Sequence, residues 1–195
     1  MKIAILDDYQ QVAKQSADWS SLPSGTTVDS FAENIADQDE LVRRLQPYEV
    51  IVAMRERTRF PAQVIDALPN LRLLVSTGGR NPSIDAEACA RRNVALCSAH
   101  GAASGQSSTA EVAWALVLAL TKRIPQADKA MRSGGWQETV ITESLAGKTL
   151  GVLGLGRLGK YVARYGQAFG MNVIAWSPHL TDERASEASV RRVSK

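Results

Sequence analysis

One stretch late in the chain constrains the fold more than any other: Thr149-Leu150-Gly151-Val152-Leu153-Gly154-Leu155-Gly156-Arg157-Leu158-Gly159. Residues 150–153 form a continuous apolar run, as a strand buried on both faces requires. Residues 160–169 follow with a helix, closed by Gly170, and 171–176 form a second apolar strand. Strand, G-x-G-x-x-G turn, helix and strand in that order make a βαβ crossover. Within it Gly154 permits a tight turn, Gly156 lets the backbone approach a ligand, and Gly159 lets helix and strand pack closely. The N–H groups of Arg157 and Leu158 open the helix, where the dipole favours an anion. The expected anion is the pyrophosphate of a dinucleotide. A glycine-rich turn in a nonbinding sheet is the plainer alternative, and the flanking strands and helix weigh against it.

The second strand ends without the Asp or Glu that would accept hydrogen bonds from an adenosine ribose. Ser177 stands there, in Ala175-Trp176-Ser177-Pro178-His179. Losing the carboxylate removes a charge-assisted bond of roughly 1.5–3 kcal/mol. It also removes the repulsion that would exclude a 2′-phosphate. The cofactor expected is therefore NAD, with NADP tolerated. His179 and Arg184 could meet such a phosphate, although solvated surface is their plainer role.

The first half alternates strand and helix signals. Strands are expected at 2–6, 50–54, 71–76 and 94–97, and helices at 39–45, 61–67 and 84–92. Asp85 and Glu87 in the first turn of the last helix, and Arg91 and Arg92 in its last, suit the helix dipole. Short apolar strands separated by helices predict a parallel sheet covered on both faces. From Ser98 to Ser108 the residues turn small and polar, as in an interdomain hinge. Two domains follow, 1–99 and 100–195. Ser108-x-x-Glu111 reads as a capping box. The helix it opens is apolar almost all round from 112 to 120, so burial on several sides is expected, in a core or between subunits.

Charge and cysteine content exclude several functions. Residues 1–99 carry 11 basic and 13 acidic side chains, net −2; residues 100–195 carry 12 and 7, net +5. The basic second half could draw in a pyrophosphate, but no basic stripe with interleaved aromatics predicts nucleic-acid binding. Cys89 and Cys97 offer neither a disulfide framework nor a metal site. The run 112–120 is too short to span a bilayer, and Asp7-Asp8 interrupts what would be a signal-peptide core. A cytoplasmic location follows from these features, with no membrane partner.

With these motifs in hand, the chain resembles the D-isomer-specific 2-hydroxyacid dehydrogenases, a family including phosphoglycerate dehydrogenase and hydroxypyruvate/glyoxylate reductases. The resemblance rests on Thr77-Gly78-Gly79-Arg80-Asn81-Pro82-Ser83-Ile84-Asp85, on Ser108-Thr109-Ala110-Glu111, and on Leu145-x-Gly147-Lys148-Thr149 leading into Gly154–Gly159. Arg55-Glu56-Arg57-Thr58 matches the family's Arg-x-x-Thr loop. It implies an α/β protein: a flavodoxin-like substrate domain, then a Rossmann-type coenzyme domain, with a cleft between. Backbone around Gly78, Gly79 and Arg80, with Arg55, would meet the carboxylate of a small 2-hydroxy or 2-keto acid. Thr109 would lie near the nicotinamide. Homodimerisation through the coenzyme domain is implied too.

The family's catalytic His, its acidic partner and an Arg lie later in the coenzyme domain and have no counterpart here. His100 and His179 fall in neither context, so no catalytic acid/base is assigned. Little more than one βαβ unit follows the turn, so the second domain is expected to be incomplete, with an open sheet edge and exposed apolar faces. Two further readings compete: a non-catalytic dinucleotide-binding protein, like the corepressors of this family, or a gene remnant. A phospho-receiver domain is suggested by Asp7-Asp8, but the strand 50–54 ends in Ala53-Met54-Arg55 without a phosphorylatable Asp.

Overall fold

The computed structural model describes residues 1–99, 107–136 and 141–195. His100 and hinge residues 100–106 lie outside that set. The chain divides into two units, Met1–Gly101 and Ala102–Lys195.

The first unit is a five-stranded, wholly parallel sheet built from β1 (Lys2–Ile5), β2 (Thr27–Ser30), β3 (Val50–Ala53), β4 (Leu73–Thr77) and β5 (Ala95–Ala99). The order is β2-β1-β3-β4-β5, the doubly wound arrangement of flavodoxin-like folds. In the registers Ile3↔Val50, Val50↔Leu73 and Leu73↔Ala95 the apolar runs stack side by side. Three helices cover the sheet: α1 (Gln38–Leu45), α2 (Ala62–Asp66) and α3 (Ala86–Arg91). Asp37 caps α1 by accepting from the Glu40 N–H at 2.8 Å, and Leu41 and Leu45 turn inward. Asp85 does the same for α3, accepting from the Ala88 N–H at 2.8 Å, so it precedes the helix rather than lying in its first turn. Leu6, Leu45, Ile51, Phe60, Ile65 and Leu74 form the centre of the core.

Strand β2 carried no sequence signal, because Thr27-Val28-Asp29-Ser30 is polar at three of its four positions. It is an edge strand, where polar residues are tolerated. Strand β5 runs to Ala99, two residues into the expected hinge.

Asp7 and Asp8 follow β1 and are both buried. Thr58 Oγ1 donates to Asp7 at 2.7 Å and Asn34 Nδ2 at 2.8 Å, while Arg57 Nη1 donates to the Asp7 carbonyl at 2.7 Å. Asp8 accepts from the Ser30 hydroxyl at 2.7 Å and from the Val12 and Ala13 N–H groups at 3.0 and 3.1 Å. The acidic pair thus pins loops, and among the described residues no metal-holding cluster occurs.

The second unit holds a three-stranded parallel sheet, β6 (Thr149–Leu153), β7 (Asn172–Trp176) and β8 (Arg191–Arg192), in the order β6-β7-β8. Helices α4 (Ser108–Thr121), α5 (Ile124–Arg132), α6 (Arg157–Ala168) and α7 (Asp182–Glu187) accompany it. Gly166 lets α6 settle on the sheet; a Cβ there would stand 2.5 Å from Leu150 Cδ2. Val152, Leu155, Ala163, Val173 and Ala175 form the core.

One expectation fails at α4. The residue before the helix is Ser107, not Ser108, and its hydroxyl donates to Glu111 Oε1 at 2.5 Å instead of capping backbone N–H groups. Within the described unit α4 buries Ala110 and Trp114. Trp114 packs on Tyr165 and Phe169 of α6, with ring centroids 6.0 and 5.0 Å away. Val112, Leu116 and Leu120 are 58, 65 and 79 % exposed. One apolar stripe of α4 packs on α6, and residues 117–119 are half-buried. No described helix is long and apolar enough to cross a membrane.

Candidate functional site

The crossover turn sits between β6 and α6. Gly154 adopts φ 97°, a backbone state closed to most side chains, and its N–H donates to the Trp176 carbonyl at 2.8 Å. That bond ties the turn to the end of β7. At Gly159 a Cβ would collide with the Gly154 carbonyl oxygen and press on Val152 Cγ1 at 3.2 Å. Gly159 is therefore demanded by packing alone.

Gly156 is different. It precedes α6 with φ −83°, and a Cβ built on it meets nothing within 4 Å. Neither strain nor crowding among the described residues calls for glycine there, and the space beside it is open. No side chain caps α6, and no acidic residue occupies its first turn. Among the described residues no acceptor takes the N–H of Arg157 or Leu158. Exposed donors, an unopposed helix dipole and a gap beside Gly156 suit a phosphate diester. A dinucleotide fits this turn.

Ser177 follows β7 directly and is half-buried. Beyond it, Arg184 Nη1 donates to the His179 carbonyl at 3.4 Å, which holds this guanidinium near the end of β7. Thr109 is exposed in the first turn of α4.

The other predicted residues gather in the first unit, at the carboxyl ends of β3 and β4. Arg55 and Gly78 meet: a Cβ on Gly78, which has φ 111°, would stand 2.7 Å from Arg55 Nη1. Gly78 spends its own N–H on the Ala99 carbonyl, at 2.7 Å. That leaves the N–H groups of Gly79 and Arg80 without an acceptor among the described residues. The Arg80 side chain is exposed and makes no described hydrogen bond or ion pair. Arg57 is already engaged, by the Asp7 carbonyl and by the ring of Tyr9, 4.5 Å from its guanidinium carbon.

Sequence reasoning missed two residues of this loop pair. Thr77 Oγ1 accepts the Arg55 N–H at 3.1 Å, and Asn81 Nδ2 donates to the Arg55 carbonyl at 2.6 Å. The dipeptide Asn81-Pro82 was the available signal, since Asn before Pro marks a turn. A cavity of about 510 Å³ lies beside the loop, lined by Gln38, Arg59, Pro61 and Asp85 among others, and none of the predicted site residues lines it.

A flavodoxin-like sheet followed by a G-x-G-x-x-G crossover is the architecture of nucleotide-binding α/β proteins of the dehydrogenase type. Residues 114–195 match the family described as D-isomer specific 2-hydroxyacid dehydrogenase, NAD binding domain. D-3-phosphoglycerate dehydrogenase of Archaeoglobus fulgidus is 40 % identical over 157 residues, 80 % of this chain and 29 % of that one. A phosphoglycerate oxidoreductase structure from Vibrio cholerae superposes with a TM-score of 0.87 at 33 % identity, covering 100 % of this chain and 62 % of that one. A putative D-3-phosphoglycerate dehydrogenase structure from Ralstonia solanacearum gives 0.85 at 36 % identity, covering 100 % and 60 %. Residues 114–195 belong to the D-isomer-specific 2-hydroxyacid dehydrogenase family, and the chain as a whole is similar to its members. It spans about three tenths of the length of the curated relatives and about six tenths of these solved chains.

Proposed function

We propose that this chain carries the coenzyme turn and the substrate-anion loop of an NAD(P)-dependent D-2-hydroxyacid dehydrogenase. One observation carries the reading: the unaccepted N–H groups of Arg157 and Leu158 beside the open face of Gly156. Gly154, Gly156, Arg157, Leu158 and Gly159 would hold the pyrophosphate, Ser177 the adenosine ribose, and Thr109 the nicotinamide side. Residues 1–99 would serve as substrate domain and 100–195 as coenzyme domain. Arg55, Gly78, Gly79 and Arg80 would hold the carboxylate of a small 2-hydroxy or 2-keto acid.

A bound nicotinamide would supply the hydride chemistry, accepting the C2 hydride of a 2-hydroxy acid while the hydroxyl proton passes to water and the 2-keto acid is left. The residues of this chain orient and neutralise; none is assigned the proton. His179 is exposed and outside the sites described above.

Ser177 and the nearby Arg184 support acceptance of NADPH as well as NADH. The exposed Val112, Leu116 and Leu120 of α4 support a homodimer formed through the second unit.

Fluorescence titration with NADH and NADPH, beside an assay with glyoxylate and hydroxypyruvate, tests the proposal. Binding with turnover supports the dehydrogenase. Binding without turnover favours a dinucleotide-binding protein acting through partners. Absence of binding overturns both.

A further inference from the structure

Arg55 is an exposed cation of the anion loop, its Nε 3.8 Å from Glu56 Oε2, and its backbone is in the left-handed region at φ 57°, which side chains with a Cβ rarely adopt. Two side chains clamp that conformation from both ends. The Arg55 N–H donates to Thr77 Oγ1 at 3.1 Å, and the Arg55 carbonyl accepts from Asn81 Nδ2 at 2.6 Å. The same Asn81 amide donates to Ser76 Oγ at 3.0 Å, and its Oδ1 accepts the Ser83 N–H at 2.9 Å. One half-buried side chain therefore ties three points together: the end of β4, the turn at Ser83 and the loop after β3. Its product is the stacking of Arg55 over Gly78. A Cβ at residue 78 would lie 2.7 Å from Arg55 Nη1 and 3.2 Å from Cδ.

We propose that Asn81 is a positioning residue, whose side-chain amide locks Arg55 in its left-handed conformation. Locked so, the guanidinium and the Gly79 and Arg80 N–H groups converge on one carboxylate of the substrate. The inference rests on the reading that this loop takes the anion. It assigns Asn81 a role beyond its turn. An Asx turn needs only Oδ1, as acceptor for Ser83, whereas the lock needs the Nδ2 donor.

Asn81→Asp separates the two roles, because it keeps the turn acceptor and removes the donor toward the Arg55 carbonyl. Thr77→Val removes the other clamp and guards against a folding defect peculiar to residue 81. Both variants, wild type and Arg55→Ala are compared as full-length chains by NMR, with pyruvate as the titrant. The proposal expects the Arg55 Hδ–Gly78 Hα cross-peak to vanish in Asn81→Asp and Thr77→Val. It further expects roughly tenfold weaker pyruvate binding, the worth of one lost hydrogen bond of about 1.4 kcal/mol. Persistence of that cross-peak in Asn81→Asp overturns it, whether or not pyruvate binds. So does wild-type affinity in Asn81→Asp. If Arg55→Ala binds pyruvate as wild type does, the anion-loop reading fails instead, and the cross-peak still decides the lock.

Discussion

Two glycines three residues apart do opposite work, and substitution separates them. Ala at 159 sets a methyl against the Gly154 carbonyl and Val152, so Gly159→Ala is expected to destabilise the second unit by about 1–3 kcal/mol in urea denaturation. Ala at 156 enters open space at an ordinary φ, so Gly156→Ala is expected to leave stability within about 0.5 kcal/mol. The methyl stands where the pyrophosphate would, so NADH affinity should fall at least tenfold by fluorescence titration. Unchanged affinity would remove the dinucleotide from this turn. Asp8 supplies a pH-dependent case. The Ser30 hydroxyl, its strongest influence, and the backbone donors around residues 11–13 hold its carboxyl below the ordinary carboxylate value, against the opposing effect of burial. A depressed folded value adds stability above the unfolded pKa of about 3.9, and that stability is lost as pH falls through the folded value. The stability gap between wild type and Ser30→Ala should therefore be full at neutral pH and close in acid. Thermal melts between pH 7 and about pH 3 check this.

At the scale of elements, the crossover was legible because each part announces itself: apolar runs at 150–153 and 171–176, and glycines at fixed spacing. The four strands of the first sheet that hold apolar runs were legible for the same reason. Strand β2 was not, since an edge strand whose inward residues are few leaves no period to read. The position of Arg55 over Gly78 was hidden as well. It depends on side chains of Thr77 and Asn81 that are distant in sequence from Arg55, and a motif does not say which backbone groups its side chains will meet. For helix α4, apolarity all round states what it must avoid, not what covers it. Its residues 112, 116 and 120 recur at four-residue spacing and share one exposed face. Leu116→Glu on that face is expected to shift sedimentation from dimer to monomer without lowering the helix content seen by circular dichroism. A wild-type chain that sediments as a monomer would remove the proposed interface.

The two units differ in how much they bury. Among the described residues seventeen buried apolar side chains cluster in the first unit and eight in the second. In the second, β6 is an edge strand of its sheet, and Leu153 on it is 83 % exposed. Each buried aliphatic side chain contributes roughly 1.5–3 kcal/mol before entropy is charged against it, so a core half the size gives the second unit the lower stability. Unfolding in urea should then proceed in two steps, the second unit first. The tryptophans make the steps separable: Trp114, Trp136 and Trp176 belong to the second unit and Trp19 alone to the first. Tryptophan emission is expected to change at a lower urea midpoint than the circular dichroism signal, to which the five-stranded sheet and its helices contribute. Saturating NADH would raise the emission midpoint alone, because a ligand stabilises only the unit that binds it. Coincident midpoints with and without NADH would mean that the chain unfolds as one cooperative body and that the small core is not its weak point.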